Sequence, residues 1–591
     1  MSSRAARLCL LALVVAACGP ATKHHPSDAG AVDSTTTPDT PPPPHTLTSL
    51  VVSPTNPLIQ LDLNQTATQD FTVMASYEDG TSDDVTSQVT WTVMNPMVGT
   101  MAGATLDIPA FTSSTAQVSL ITATLGNVTG QAQITVVAYR QTGPQQDFFF
   151  ILPYQDPNGP MAKPLDFSTN IPALDVFFLM DATGSMSGEI KNLQDALTGT
   201  VIPGIQNAVA NSQFGVGALE DFPLHPYGSP TGTECQHSTD TVPDQPFKLR
   251  QAITNNTAAV QTAVNGLGTA TTTIGCGYDT PEAGLEAIYQ VATGEGLTGP
   301  SPTNVPANHT GIGGVAFRSG TMPVVVDVTD ALTHGVGETA TCSYTGETTA
   351  YTGTVATVAH SRAQTKTALS NICARVVGIS AIPSWATGSY IDCTGEEYLR
   401  DLASTTGARV PPAAWDVGTR PAGCASTQCC TGNNGAGVAP DAQGLRPVVF
   451  DVTSSGAGVG TNIVTGIQML ARFATFTVPT DRQGVGTDVN GVPLPMGITT
   501  DMFIKAVTPT GFVKPPPPPV LPDPTFDSTT FYNVTPGTKV SFAVNAFNDI
   551  VPQTDSAQIF RATIRVLAGG CTPLDQRDVL ILVPPTPITI E

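Results

Sequence analysis

Basic residues are scarce in this chain of 591 residues: 24 Lys and Arg stand against 47 Asp and Glu, a formal net charge of −23. Nothing offsets the repulsion of a phosphate backbone, so nucleic acid is excluded as a partner, whereas an acidic surface attracts divalent cations. Charge of either sign is sparse, at 12% of residues, while 55 Gly and 51 Pro suit β-rich domains with many turns. After the N-terminal segment no apolar stretch reaches the roughly 18 residues that a membrane-crossing helix needs. No C-x-x-C pairs with a second one, which argues against a cysteine zinc site. Catalytic motifs fall short as well. Ala182 interrupts the D-T-G of an aspartic protease, and GAGVG at 456–460 lacks both the third glycine spacing and a preceding strand of the dinucleotide-binding type. No Ser, His and Asp constellation is evident, so the chain reads as a binding protein and not an enzyme.

Length alone predicts about three or four domains. Arg4 and Arg7 precede an apolar run from Leu8 to Ala17, which is too short to span a bilayer and reads as the core of a signal peptide. Its end, VAACG at 15–19, resembles a bacterial lipobox. That resemblance implies removal of residues 1–17, lipidation of Cys18, and anchorage in the bacterial cell envelope, at the outer membrane or cell surface. Residues 18–45 are Pro, Thr, Ser and Asp with almost nothing apolar, a disordered tether in which His24 and His25 face solvent. Nine cysteines follow Cys18, mostly between 235 and 430. In an exported protein they are expected to form disulfides with one thiol left over.

From 46 to 139 apolar residues recur with period two: Phe71, Val73, Ala75 and Tyr77 up to an Asp79-Gly80 turn, then Val89, Trp91 and Val93. This predicts a small antiparallel sandwich, and the order SLVVSP, YEDGTSDDVTSQVTW and AQITVVA resembles a bacterial Ig-like group 2 domain, which implies a spacer without chemistry. Between 176 and 475 apolar strands (176–180, 213–219, 323–329, 376–381) alternate with helical stretches (188–210, 281–293, 354–375, 396–405, 462–474). Strands buried on both faces between helices predict a doubly wound parallel α/β sheet. Alternation resumes after 476, and residues 140–174 plus 476–591 are assigned to a second β-sandwich. The fold class is thus multidomain, a doubly wound sheet flanked by two sandwiches.

The strand VFFLM ends on Asp181, where such a sheet places its ligands. Thr183 and Ser185 follow at i+2 and i+4, so three oxygen-bearing side chains in one turn can converge on a hard cation such as Mg²⁺. Alone, D-A-T-G-S serves equally as a polar turn whose hydroxyl caps the next helix. More acids stand at other strand ends: Asp221 after QFGVGALE, Asp279 and Glu282 in GYDTPEAG, and Asp330 after PVVVDVT. Carboxylates gathered on one edge are costly unless a cation neutralises them.

These residues resemble the von Willebrand factor A family, and within it the integrin β I-like domain. The family's D-x-S-x-S is matched by Asp181, Thr183 and Ser185, with Thr for the first Ser. D-x-P-E-G-G and the helix after it resemble Asp279 to Gly284 and AIYQVA at 287–292, T-D-A matches Thr329 to Ala331, and FKLRQAITNNTAAVQTAV at 247–264 is similar to the integrin helix region. The resemblance implies a central Mg²⁺ (or Mn²⁺) held by Asp181, Thr183, Ser185, Glu282 and Asp330. It further implies a neighbouring Ca²⁺ held by Asp221, Asp279, Glu282 and the Pro281 carbonyl, although one ligand of that site, Asn in integrins, is Gly277 here. A third integrin site uses an adjacent acid pair; Gly188-Glu189 replaces it, and the site is not expected. The flanking segments are similar to the split hybrid sandwich into which the integrin domain is inserted, and the helix 462–474 would carry the integrin switch.

The function implied is attachment to an extracellular or envelope protein whose carboxylate fills the open position on the central cation. Segments 222–276 and 335–350 would carry specificity. Two alternatives stand: a structural envelope protein with a stabilising ion, and a metal-dependent hydrolase, for which His334 is the candidate base although a loop histidine of this kind is expected at the surface.

Overall fold

In the computed structural model the described residues are 46–143, 146–232, 234, 242–383 and 391–586. The expected signal peptide, Cys18, the expected tether, and residues 233 and 235–241 of the expected specificity segment lie outside them. The first 94 of these residues, 46–139, form three small sheets, with Leu47–Ser53 antiparallel to Thr72–Tyr77, and the long hairpin of Thr115–Leu125 and Val128–Ala138 beside them. Phe71, Val73 and Ala75 are buried in a core with Ile121, Ile134 and Val136, as their alternation requires.

The central sheet has six strands, labelled in chain order β1 (Leu174–Asp181), β2 (Ser212–Leu219), β3 (Lys248–Thr254), β4 (Met322–Thr329), β5 (Arg375–Ala381) and β6 (Val449–Val452). Their order across the sheet is β3-β2-β1-β4-β5-β6. Around them lie α1 (Ser187–Ala196), α2 (Thr257–Asn265), α3 (Gly284–Thr293), α4 (Arg362–Asn371), α5 (Glu396–Thr405) and α6 (Val459–Phe473). A π turn at Leu197–Val201 continues α1 into Ile202–Gln206. Helices α1, α2 and α6 pack together, as do α3 and α4, so β1 is covered on both faces and all eight of its residues are buried. Each large apolar side chain buried in this run contributes roughly 1.5–3 kcal/mol, and β4 beside it is buried along its whole length as well. Glycine in β2 makes room for β1. A Cβ at Gly215 or at Gly217 would lie 2.8 Å from the Phe177 ring.

Several elements differ from their sequence expectation. The sheet is parallel except at its edge, where β3 pairs antiparallel with β2. The segment 247–264, read as helical, is strand until Thr254, because Asn256 caps α2 by accepting from the Ala259 N–H at 3.2 Å. The helix expected over 354–375 shortens to α4, which a capping box of Ser361 and Gln364 starts. The stretch 281–293 becomes helical only at Gly284. GAGVG at 456–460 does follow a strand, β6, and opens α6. Its Gly456 (φ +68°) serves close packing, since a Cβ there would lie 2.6 Å from the Glu189 backbone.

Strands on either side of this unit pair with each other. Phe148–Ile151 runs parallel to Thr572–Val583, and Met161–Ser168 is antiparallel to Lys539–Ala546. One apolar core extends from Phe148 to Val583. Disulfides join Cys342 to Cys393, Cys373 to Cys571 and Cys424 to Cys430, and Cys276 is also disulfide-bonded. Cys429 is the free thiol among the described residues, in line with the odd cysteine count. No helix among the described residues is long and apolar enough to cross a membrane.

Candidate metal centre

The chain turns from β1 into α1 through Ala182 to Met186, and Asp181 organises that turn. Its Oδ1 accepts from the Thr183 N–H (3.0 Å) and hydroxyl (2.6 Å), and its Oδ2 accepts from the Thr329 hydroxyl at the end of β4 (2.7 Å). The Ser185 hydroxyl donates to Asp330 Oδ1 at 2.9 Å. Asp181, Thr183, Ser185 and Asp330 are therefore brought together at the carboxyl ends of two adjacent strands. Glu282 reaches them from the loop before α3, positioned by backbone hydrogen bonds from its N–H to Leu332 O and from the His334 N–H to its carbonyl. Thr183, Ser185, Glu282 and Asp330 line a cleft of about 210 Å³ with Gly277, Tyr278, Asp279, Thr280 and Pro383.

Burial drives the electrostatics. It raises the Asp181 carboxyl despite its three hydrogen bonds, and lifts Asp330, next to Asp181, to about 7. Glu282 is held well above its ordinary range by burial first, then by Asp181, Asp221 and Asp279. Glu282 Oε2, Asp221 Oδ2 and Asp279 Oδ1 are buried with no hydrogen-bond partner among the described residues. Acidic oxygens left unpaired in an apolar sheet edge cost free energy that a cation removes. The central donor set, carboxylates and hydroxyls only, fits a hard divalent ion.

The second expected set is brought together in part. Asp221 follows β2 and accepts from the Tyr351 hydroxyl at 2.6 Å; Asp279 is pushed up to about 9 by burial and by Asp221 and Glu347. Pro281 is buried between Asp279 and Glu282 in sequence. Gly277 offers no side-chain donor and has φ +61°, and a Cβ there would lie 2.3 Å from Glu282 Oε1. Gly277→Asn is accordingly expected to displace Glu282 and destabilise the chain by about 1–3 kcal/mol, without strengthening Ca²⁺ binding; thermal unfolding and Ca²⁺ titration check this.

His334, expected at the surface, is fully buried. It packs against the rings of Tyr227 and Tyr351, which also touch each other, and burial pushes its imidazole down to about 3. One donor atom each from Asp221, Asp279 and His334 lie within 4.8 Å of one another. Other buried acids adjoin the cluster, of which the sequence reading noted only Glu189, as part of the pair Gly188-Glu189. Glu189, with both oxygens unpartnered among the described residues, is raised to about 8 by burial and by Asp330. Glu220 is neutralised by Lys248 at 2.7 Å. Asp244 accepts from the N–H groups of Ser229, Cys276 and Gly277, and so shapes the rim of the cleft. Hydrophobic period gives no hint of any of them.

The acid-and-hydroxyl cluster lies beyond the strand ends of an open α/β sheet. Residues 168–299 match the family model of the integrin beta chain VWA domain, which supports a von Willebrand factor A domain in that part of the chain. Among solved structures, a von Willebrand factor type A protein from Catenulispora acidiphila is 10% identical with a TM-score of 0.26, the likeness covering 76% of each chain. The pilus adhesin SpaC from Lactobacillus rhamnosus GG, in an open conformation, is 13% identical with a TM-score of 0.28, over 85% of this chain and 56% of that one. Ice-binding protein 1 of Shewanella frigidimarina (strain NCIMB 400) is 39% identical over 82 residues, which are 14% of this chain and 8% of that protein.

Proposed function

We propose that this chain is a lipid-anchored protein of the bacterial cell envelope that binds a protein ligand through a divalent cation, and that it is not an enzyme. Asp181, Thr183, Ser185, Glu282 and Asp330 would hold Mg²⁺ or Mn²⁺, some through water. The bound ion would supply an electrophilic position for a carboxylate of the partner. One observation carries the reading: buried acidic and hydroxyl oxygens converge from separate strand ends on the floor of an open cleft, with the 57% exposed Tyr278 at its rim. A partner's side chain has both a charge to meet and a wall to pack against.

The hydrolase alternative loses its candidate base, since His334 is fully buried and does not line the cleft. We assign the residues around 140–174 and 476–591 to one split sandwich that carries the domain, an assignment supported by the pairing of Phe148–Ile151 with Thr572–Val583. Ligand specificity falls to loops: Thr280 donates its N–H to Glu347 at 2.8 Å, linking the cleft to the segment 335–350.

Pull-down from envelope extracts with the immobilised chain tests the reading. A retained protein should elute with EDTA and rebind when Mg²⁺ is restored. Retention indifferent to EDTA would show that the cation takes no part in binding.

A further inference from the structure

We propose that Asp221, Asp279 and His334 form a second metal site of mixed nitrogen and oxygen donors, suited to a borderline first-row ion of the Zn²⁺ class and not to the Ca²⁺ that the integrin resemblance implies. The disagreement begins at Gly277. Where the resemblance has an oxygen-donating Asn, this backbone has a left-handed glycine with the Glu282 carboxylate in the space a side chain would need. An all-oxygen cage of the 6–8 ligands that Ca²⁺ prefers is therefore short of a donor.

A nitrogen donor stands nearby instead. His334 Nε2 lies 3.3 Å from Asp279 Oδ2, and its Nδ1 lies 3.9 Å from Asp221 Oδ2. Both ring nitrogens, Asp221 Oδ2 and Asp279 Oδ1 are buried without a hydrogen-bond partner among the described residues. Two donors each about 2.1 Å from one ion are about 3–3.5 Å apart at angles from 90° to tetrahedral, which the Asp279 and His334 pair matches. Tyr351 supports the cluster twice, donating its hydroxyl to Asp221 Oδ1 and packing its ring on His334. Among the described residues this is the one group of three His, Cys, Asp or Glu donors lying mutually within 4.8 Å. Imidazole with carboxylates favours Zn²⁺, Ni²⁺ or Cu²⁺ over the alkaline earths. The site stands whether or not the central cation receives a partner's carboxylate.

Zinc K-edge absorption on the full chain is the test, with His24, His25 and His45 replaced by Ala so that residues 18–45 supply no imidazole. After chelation and reloading with Zn²⁺ in excess Mg²⁺, one tightly held Zn²⁺ with a single-imidazole scattering signature is expected. His334→Gln should erase that signature and weaken Zn²⁺ binding by at least about a hundredfold, while Asp181→Ala leaves both in place. The reloaded chain needs no site variant for its own spectrum, so misfolding of His334→Gln does not decide the matter, and Asp221→Asn reads the same loss. Zn²⁺ bound through oxygen alone, or Ca²⁺ displacing it at equal concentration, overturns the proposal and leaves His334 as a buried partner of two acids. Because Asp181→Ala removes only the central ion, failure here and failure of the adhesion reading give different results.

Discussion

Asp181→Ala is expected to lower the affinity of the central site for Mg²⁺ by at least about a hundredfold, equivalent to about 2.8 kcal/mol, and to abolish Mg²⁺-dependent capture of the partner. The carboxylate sits at the point where β1, the turn into α1 and the end of β4 meet, so no neighbouring acid can take its place. Its loss leaves the Thr183 N–H, the Thr183 hydroxyl and the Thr329 hydroxyl without their acceptor, at a cost of about 1–3 kcal/mol each where water cannot reach. Removal of one negative charge from a cluster with Glu282, Asp221 and Asp330 works the other way and relieves repulsion. Asp181→Asn, which keeps an acceptor for the threonines, separates the two effects. It should lose Mg²⁺ as completely as the alanine variant and unfold at a higher temperature than it. Isothermal titration with Mg²⁺ at fixed pH measures the first, and calorimetric unfolding the second. Full Mg²⁺ affinity in either variant would remove Asp181 from the ligand set.

The doubly wound sheet was legible because burial on both faces leaves no polar alternation: VFFLM and PVVVDVT admit few other readings. Asp181 and Asp330 were legible for a related reason, since an acid that ends an apolar strand has few structural reasons to be there. The edge strand β3 was hidden because KLRQAIT has one face open to solvent and reads as amphipathic helix or strand alike.

His334 was hidden for a different reason. Its place depends on an isolated parallel bridge between Glu282 and Thr333, which carries the residue after Thr333 behind Glu282 and into the space between Asp221 and Asp279. No local pattern encodes a contact across 51 residues. Gly277 was visible as a departure from the family's Asn, yet only the left-handed backbone and the nearby Glu282 oxygen reveal that the space itself is filled. Glu189 shows the same limit. Its place in sequence suggests an exposed first helical turn, whereas the close approach of Gly456 closes over it.

Stripped of cations, the chain should lose stability as pH rises from 6.5 to 8.5, and saturating Mg²⁺ should offset most of that loss. The sign follows from the buried acids. Carboxyls raised in the folded state, to about 7 for Asp330, about 8 for Glu189 and about 9 for Asp279, bind protons that the unfolded chain has already released. Their stabilisation is complete below the unfolded values near 4 and is lost as pH climbs through the folded ones. His334 acts oppositely, but with its folded value lowered to about 3 its contribution changes only below about 6.5, outside this window. Each group changes stability by at most about 1.4 kcal/mol per pH unit, so several titrating in part should give a loss on the order of 3 kcal/mol. That corresponds to roughly 5–10 °C in the unfolding temperature of this domain. Mg²⁺ competes with the same protons, so its own stabilisation, about 2.7 kcal/mol at a hundred times its dissociation constant, should grow across the window. Calorimetry at both pH values, with EDTA and with Mg²⁺, gives four temperatures. A stripped chain that melts higher at pH 8.5 than at 6.5 would mean that the acids are paired with partners other than a cation, and the centre would then be structural.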